Sequence, residues 1–146
     1  MVPNSKYMFI IRDPRDVVAS HFLRHFSKDL SQVCAAWKNY VLRFEDFREH
    51  HRERAIFIRY EDLVSNAPDV IHSLGSWAGV AGNGEMLRFH SSKASIHGLG
   101  HIENERIGRD FNEDGIGRWR SQLRQGQASD IQRMLSPVMA RFEYAM

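Results

Sequence analysis

The run Tyr7-Met8-Phe9-Ile10-Ile11-Arg12-Asp13-Pro14-Arg15-Asp16-Val17-Val18-Ala19-Ser20 decides the fold, because an apolar strand, a fixed cation and a helix start follow one another within it. Tyr7 to Ile11 is a continuous apolar run of strand length, the pattern of a strand buried on both faces of a parallel sheet. Asp13 stands at an N-cap, Pro14 takes the first helical position where its missing N–H costs nothing, and Asp16 follows three residues after the cap. Ligands of open parallel sheets bind beyond the carboxyl ends of the strands, where helix N-termini offer unpaired N–H groups. Arg12 occupies that edge. Its planar fork can hold two phosphate oxygens, and Ser20 can add one hydrogen bond from the second turn of the helix, so the pair suits a phosphate monoester. The same residues also fit an ion pair between Arg12 and Asp16 at a surface corner.

Beyond this run, helices alternate with one further strand. Val33, Trp37, Tyr40, Val41, Phe44 and Phe47 recur at steps of three and four, which predicts a long helix with one buried stripe. The charged stretch from Arg48 to Arg54 ends it and leads into a strand from Ala55 to Arg59, with Tyr60 at its carboxyl end. Strand, helix, helix, strand predicts a parallel pair joined by a right-handed crossover. Asn66 is placed to cap the next helix, with Pro68 in its first turn, Val70, Ile71, Leu74, Trp77 and Ala78 inward, and a close at Gly79 to Gly84. From Ser91 to Asp114 periodicity is lost, and a long loop is expected. Ile131, Met134, Leu135, Val138, Met139 and Phe142 mark a final helix, with Ser129 as its cap. The fold class is α/β, and residues 1–146 read as a single domain.

The composition narrows the function. With 146 residues, 42% of them hydrophobic, the chain can bury one core. A formal charge of +2 leaves no strong nucleic-acid footprint, so no nucleic-acid partner is expected. The single cysteine, Cys34, excludes an internal disulfide and suits a reducing, cytoplasmic setting; no signal peptide and no membrane-spanning segment are read. His97 and His101 have the separation of some metal-ligand pairs, but the glycines at 98 and 100 argue against one helix face presenting both rings, and no metal is expected. Tyr60 offers a flat face and a polar tip to a base, or equally a buried ring bonded to a carbonyl. Glu61 and Asp62, adjacent on a strand, would point differently and serve to orient the turn or pair with arginines. Trp119 follows the glycines at 115 and 117, which can bring backbone N–H groups close to an anion, and it can anchor that loop on the sheet.

Three segments, in order, resemble the nucleotide-dependent sulfotransferase family. Ile11 to Ser20 is similar to its 3′-phosphate-binding segment, Ile56 to Val64 to its strand ending in Tyr-Glu-Asp, and Gly115-Ile116-Gly117-Arg118-Trp119-Arg120 to its late glycine-tryptophan signature. The resemblance implies a partial P-loop-like three-layer fold with parallel strands flanked by helices. It implies transfer of a sulfonate group from 3′-phosphoadenosine 5′-phosphosulfate to a hydroxyl or amine of a small-molecule or glycan acceptor, leaving 3′-phosphoadenosine 5′-phosphate. Arg12 and Ser20 would take the 3′-phosphate, Tyr60 would lie against the adenine, and Gly117 and Arg118 would complete the nucleotide site. Where relatives carry basic residues and a glycine ahead of the last segment, this chain has Asn112, Glu113 and Asp114, so Arg106, Arg109 and Arg118 are the candidates to substitute.

Relatives also carry a glycine- and lysine-containing 5′-phosphosulfate loop and a histidine or glutamate base upstream of the Arg and Ser segment. No Gly-x-x-x-x-Gly-Lys stretch occurs in these 146 residues. The expectation is the carboxyl-terminal portion of a sulfotransferase, inactive by itself, with no catalytic residue assigned. A non-catalytic nucleotide-binding or scaffold remnant is the alternative, and a basic helical interaction module is a third class, marked by salt-dependent binding to any polyanion.

Overall fold

A computed structural model describes residues 5–24, 29–80 and 113–144. Two compact units divide the chain, one formed by Met1–Glu61 with Asp114–Met146 and the other by Asp62–Glu113.

In the first unit, strand β1 (Tyr7–Ile11) leads into helix α1 (Pro14–Leu23), helix α2 (Leu30–His50) and strand β2 (Ala55–Arg59). The strands pair in parallel, Tyr7 opposite Ala55 through Ile11 opposite Arg59. A connection through two helices is what parallel pairing requires, since a tight hairpin cannot return the chain in the same direction. Asp13 caps α1 by accepting the Arg15 N–H at 2.8 Å, with Pro14 at the first position. Asp29 caps α2 by accepting the N–H groups of Ser31 and Gln32. Toward the chain end lie a 3-10 turn at Glu113–Gly115, a one-turn helix α5 (Trp119–Gln122) and helix α6 (Gln125–Arg141). The Gln127 side chain accepts the Arg124 N–H at 3.0 Å at the start of α6; Ser129, expected as the cap, lies inside the helix and donates to the Gln125 carbonyl.

The core lies where α2 and α6 meet α1 and the sheet. Val33, Cys34, Trp37 and Val41 of α2 and Ile131, Leu135, Val138 and Met139 of α6 are buried around Ile11, Val18 and Ala19. Phe9 stacks on Phe44, and Phe57 meets both Phe44 and Phe142 edge-on. Tyr40, expected in the buried stripe of α2, is 49% exposed at the edge of the groove described below. The strand expected to be covered on both faces is covered on one. Tyr7, Phe9 and Ile11 turn inward, whereas Met8 and Ile10 are about half exposed, at 51% and 48%. An unbroken apolar run registers apolar character at every position but does not report whether a second layer lies above it, and among the described residues only one face is packed.

In the second unit, helix α3 (Tyr60–Ser65), which begins in the first unit, continues into helix α4 (Ala67–Ala78). Asn66 stands at the N-cap of α4, but its side chain donates to the Asp69 carboxylate rather than accepting a backbone N–H. Val70, Ile71, Leu74 and Trp77 are half-buried and Ala78 is exposed. Gly79 ends the helix at φ 80°, and the Val80 N–H reaches back to the Gly75 carbonyl. The long loop expected from Ser91, with His97, His101, Arg106 and Arg109, lies outside the described residues up to position 112.

Candidate functional site

Because β1 and β2 run in parallel and in register, Arg12 and Tyr60 leave the same end of the sheet side by side. Tyr60 opens α3 rather than ending the strand, which turns Glu61 and Asp62 into helix residues. The Arg12 guanidinium carbon lies 4.6 Å from the centre of the Tyr60 ring, a cation–π contact worth about 0.5–2 kcal/mol depending on its solvation. Nη2 of Arg12 donates to the Gly115 carbonyl and stands 4.0 Å from Oδ2 of Asp16. The Arg12 carbonyl accepts the indole N–H of Trp37 at 3.0 Å. The Nε of Arg12 is buried and has no hydrogen-bond partner among the described residues. Side chain and backbone of this residue are thus held from four elements. Gly115 allows the approach, for a Cβ there would overlap the Tyr60 hydroxyl.

Asp16 joins the strand edge to the late loop. It is 2% exposed and accepts the N–H of Gly117 on Oδ2 at 2.8 Å and that of Trp119 on Oδ1 at 2.9 Å. The backbone N–H groups that sequence reading offers to an anion therefore meet the protein's own carboxylate. Nor does Asp16 reach back to its cap residue: the Asp13 N–H is taken by Oε1 of Glu61 at 2.9 Å. Oε2 of Glu61 accepts the Tyr144 hydroxyl at 3.1 Å. Burial first, then the charge and hydrogen bond of Glu61, push the Tyr144 phenol far above its ordinary range, against the opposing effect of Arg59. Asp13 and Arg15 form a bidentate pair with contacts of 2.7 to 3.1 Å. Arg15 and Arg120 flank the Trp119 ring at 4.4 and 4.8 Å, and the Arg15 contact holds the loop against α1 rather than against the sheet that sequence reading expects.

Of the residues singled out from sequence, Arg12 and Tyr60 touch, and Gly117 is joined to Arg12 through Asp16. Ser20 lies one turn beyond Asp16 on the same face of α1, since residues four apart share a helix face, and is half-buried. Among the described residues no hydrogen bond joins it to Arg12. Arg118 stands at the head of α5 with its guanidinium against the Gln122 amide, outside the Arg12 cluster. The surface ion pair considered for Arg12 and Asp16 is instead a contact to a fully buried carboxylate. Sequence reading missed Tyr144, named Gly115 and Glu61 without these partners, and gave Asp16 the helix start and an ion pair with Arg12 but not the loop N–H groups. The partners of Asp16 lie 101 and 103 residues away, and no local spacing encodes such a pairing.

Beside Arg12 runs an apolar groove of about 410 Å³, walled by Ile10, Val17, His21, Trp37 and Tyr40. A guanidinium edge, an aromatic face and an apolar groove at the carboxyl end of a parallel pair can together accept a ligand with an anionic group and a flat ring. Among the described residues no cluster of three His, Cys, Asp or Glu side chains could hold a metal, and no helix is long and apolar enough to cross a membrane.

No curated protein matches the chain. A family model described as the sulfotransferase family matches residues 1–83, more than half of the chain and the part that holds β1, Arg12, Asp16, Ser20 and Tyr60. On that match, and with a cation seated at the carboxyl edge of its parallel strands, the chain belongs to the sulfotransferase family, whose members transfer sulfonate groups.

Proposed function

We propose that this chain binds 3′-phosphoadenosine 5′-phosphosulfate and serves the transfer of its sulfonate group to a hydroxyl or amine of a small-molecule or glycan acceptor. Arg12 and Ser20 hold the 3′-phosphate, Tyr60 lies against the adenine, and Gly117 and Arg118 belong to the loop that closes the nucleotide site. The observation that carries this reading is the Arg12 guanidinium, seated between Gly115, Asp16 and Tyr60 at the strand ends with its side chain still 26% exposed. A fixed positive charge with N–H groups to spare at that edge favours an anion, and phosphate oxygens are fitting acceptors.

When bound, the nucleotide supplies an activated sulfonate on a phosphate leaving group. The chain's own residues act away from that bond. Arg12 neutralises the 3′-phosphate and sets its position, and Ser20 restrains it from the flank of α1. The binding energy of this remote phosphate orients the reacting end, so that donor and acceptor meet in line. The test is calorimetry with 3′-phosphoadenosine 5′-phosphate against adenosine 5′-phosphate. The expected result is preference for the 3′-phosphorylated nucleotide by about tenfold or more, the worth of one charge-assisted hydrogen bond. Equal affinity for the two nucleotides refutes the reading. With no glycine- and lysine-containing phosphate loop in its sequence, the 146-residue chain is expected to bind without turnover, and measurable sulfonate transfer by it contradicts that half of the proposal.

A further inference from the structure

We propose that Asp16 is a positioning residue for the nucleotide, setting the Arg12 guanidinium through the backbone of the 117–119 loop; the inference rests on the nucleotide reading above. Three observations lead to it. The Asp16 carboxylate is fully out of water, yet its negative charge is met by two backbone N–H groups and not by a direct hydrogen bond from Arg12, whose Nη2 is 4.0 Å away. Only an acceptor-only side chain satisfies both donors, since an amide in its place turns an NH2 toward one of them. Gly115, two residues ahead of the tied Gly117, supplies the carbonyl that takes the same Nη2. Asp16 therefore holds Nη2 of the guanidinium twice, directly by charge and indirectly through the loop, and the side chain, still 26% exposed, keeps further N–H groups for an incoming anion. Gly117 suits the tie because its φ of +70° is a left-handed conformation that a residue with a Cβ adopts only at a cost.

A residue that only stabilises the fold changes the affinity for all nucleotides alike, whereas a residue that sets Arg12 changes the discrimination for the 3′-phosphate. The experiment measures binding of 3′-phosphoadenosine 5′-phosphate and of adenosine 5′-phosphate to the full chain, to Asp16→Asn and to Gly117→Ala. Asp16→Asn is nearly isosteric and keeps one acceptor; Gly117→Ala displaces the loop N–H while keeping the Asp16 charge. The expected result is a ratio of the two affinities reduced about tenfold in Asp16→Asn, with a reduction in the same direction in Gly117→Ala. An unchanged ratio in folded Asp16→Asn overturns the inference and leaves the nucleotide reading intact. Should Asp16→Asn fail to fold, an unchanged ratio in Gly117→Ala overturns it. No discrimination in the unmutated chain overturns the nucleotide reading itself, and this inference with it.

Discussion

Arg12→Lys separates the geometry of the Arg12 seat from its charge. The guanidinium uses Nη2 on the Gly115 carbonyl, lies over the Tyr60 ring and, with its side chain 26% exposed, keeps N–H groups for another acceptor. An ammonium retains the charge but is a single compact donor group on a flexible stem, and it cannot serve the Gly115 carbonyl and a phosphate in the fixed relation that one planar fork provides. The loss is at least one charge-assisted hydrogen bond, about 1.5–3 kcal/mol, which is roughly 10- to 150-fold in the dissociation constant. Calorimetric titration with 3′-phosphoadenosine 5′-phosphate reads this directly, and adenosine 5′-phosphate, which lacks the group Arg12 is proposed to hold, should change by less than about threefold. Because the net charge is unaltered, the salt dependence of binding should persist. An Arg12→Lys protein that unfolds at the wild-type denaturant midpoint and binds the 3′-phosphorylated nucleotide within about threefold of wild type would falsify the fork-based account.

Trp37→Phe removes the donor on the Arg12 carbonyl while leaving most of the buried ring, so stability should fall by about 1–2 kcal/mol, seen as a melting temperature lower by several degrees; an unaltered melting curve argues that the indole N–H does not hold the strand end. Leu135→Ala opens a cavity in the α2–α6 core and should cost about 2–5 kcal/mol in urea unfolding, and a cost below about 1 kcal/mol means that α6 is not packed as described. Tyr144 has its phenol pKa raised in the folded state, so its contribution to stability is fully present below about pH 10, the ordinary phenol value, and is lost as pH rises above it. In an absorbance titration of the four tyrosines one should therefore ionise only with unfolding; four that titrate together in the folded chain contradict the burial of Tyr144 against Glu61.

Local chemistry carried much of this molecule in plain view. The Asp13-Pro14 start of α1, the Val33-Trp37-Val41-Phe44 stripe of α2 and the Ile131-Leu135-Val138-Met139 stripe of α6 are where spacing places them, because cap chemistry and the 3.6-residue period act within one or two turns. The same locality misled in two places. Ser129 has the side chain of a cap, but Arg124 and Gln127 begin the helix a turn earlier. Glu61 and Asp62 read as strand neighbours, although the strand ends at Arg59, as its sequence bounds predict, and the chain turns at Tyr60 into α3.

The sequence by itself determined an α/β chain whose first strand delivers Arg12 to a helix start, and, through the first 83 residues, its family. Tertiary structure alone decided what joins Asp16 around that arginine: Gly115, Tyr60 and Trp37 converge on it, and Glu61 links Asp13 to Tyr144. Periodicity reports which face of an element is apolar, whereas a carboxylate meeting the amide of a residue about a hundred positions away depends on how strands and loops are brought together, and that distance in sequence leaves no repeat to read.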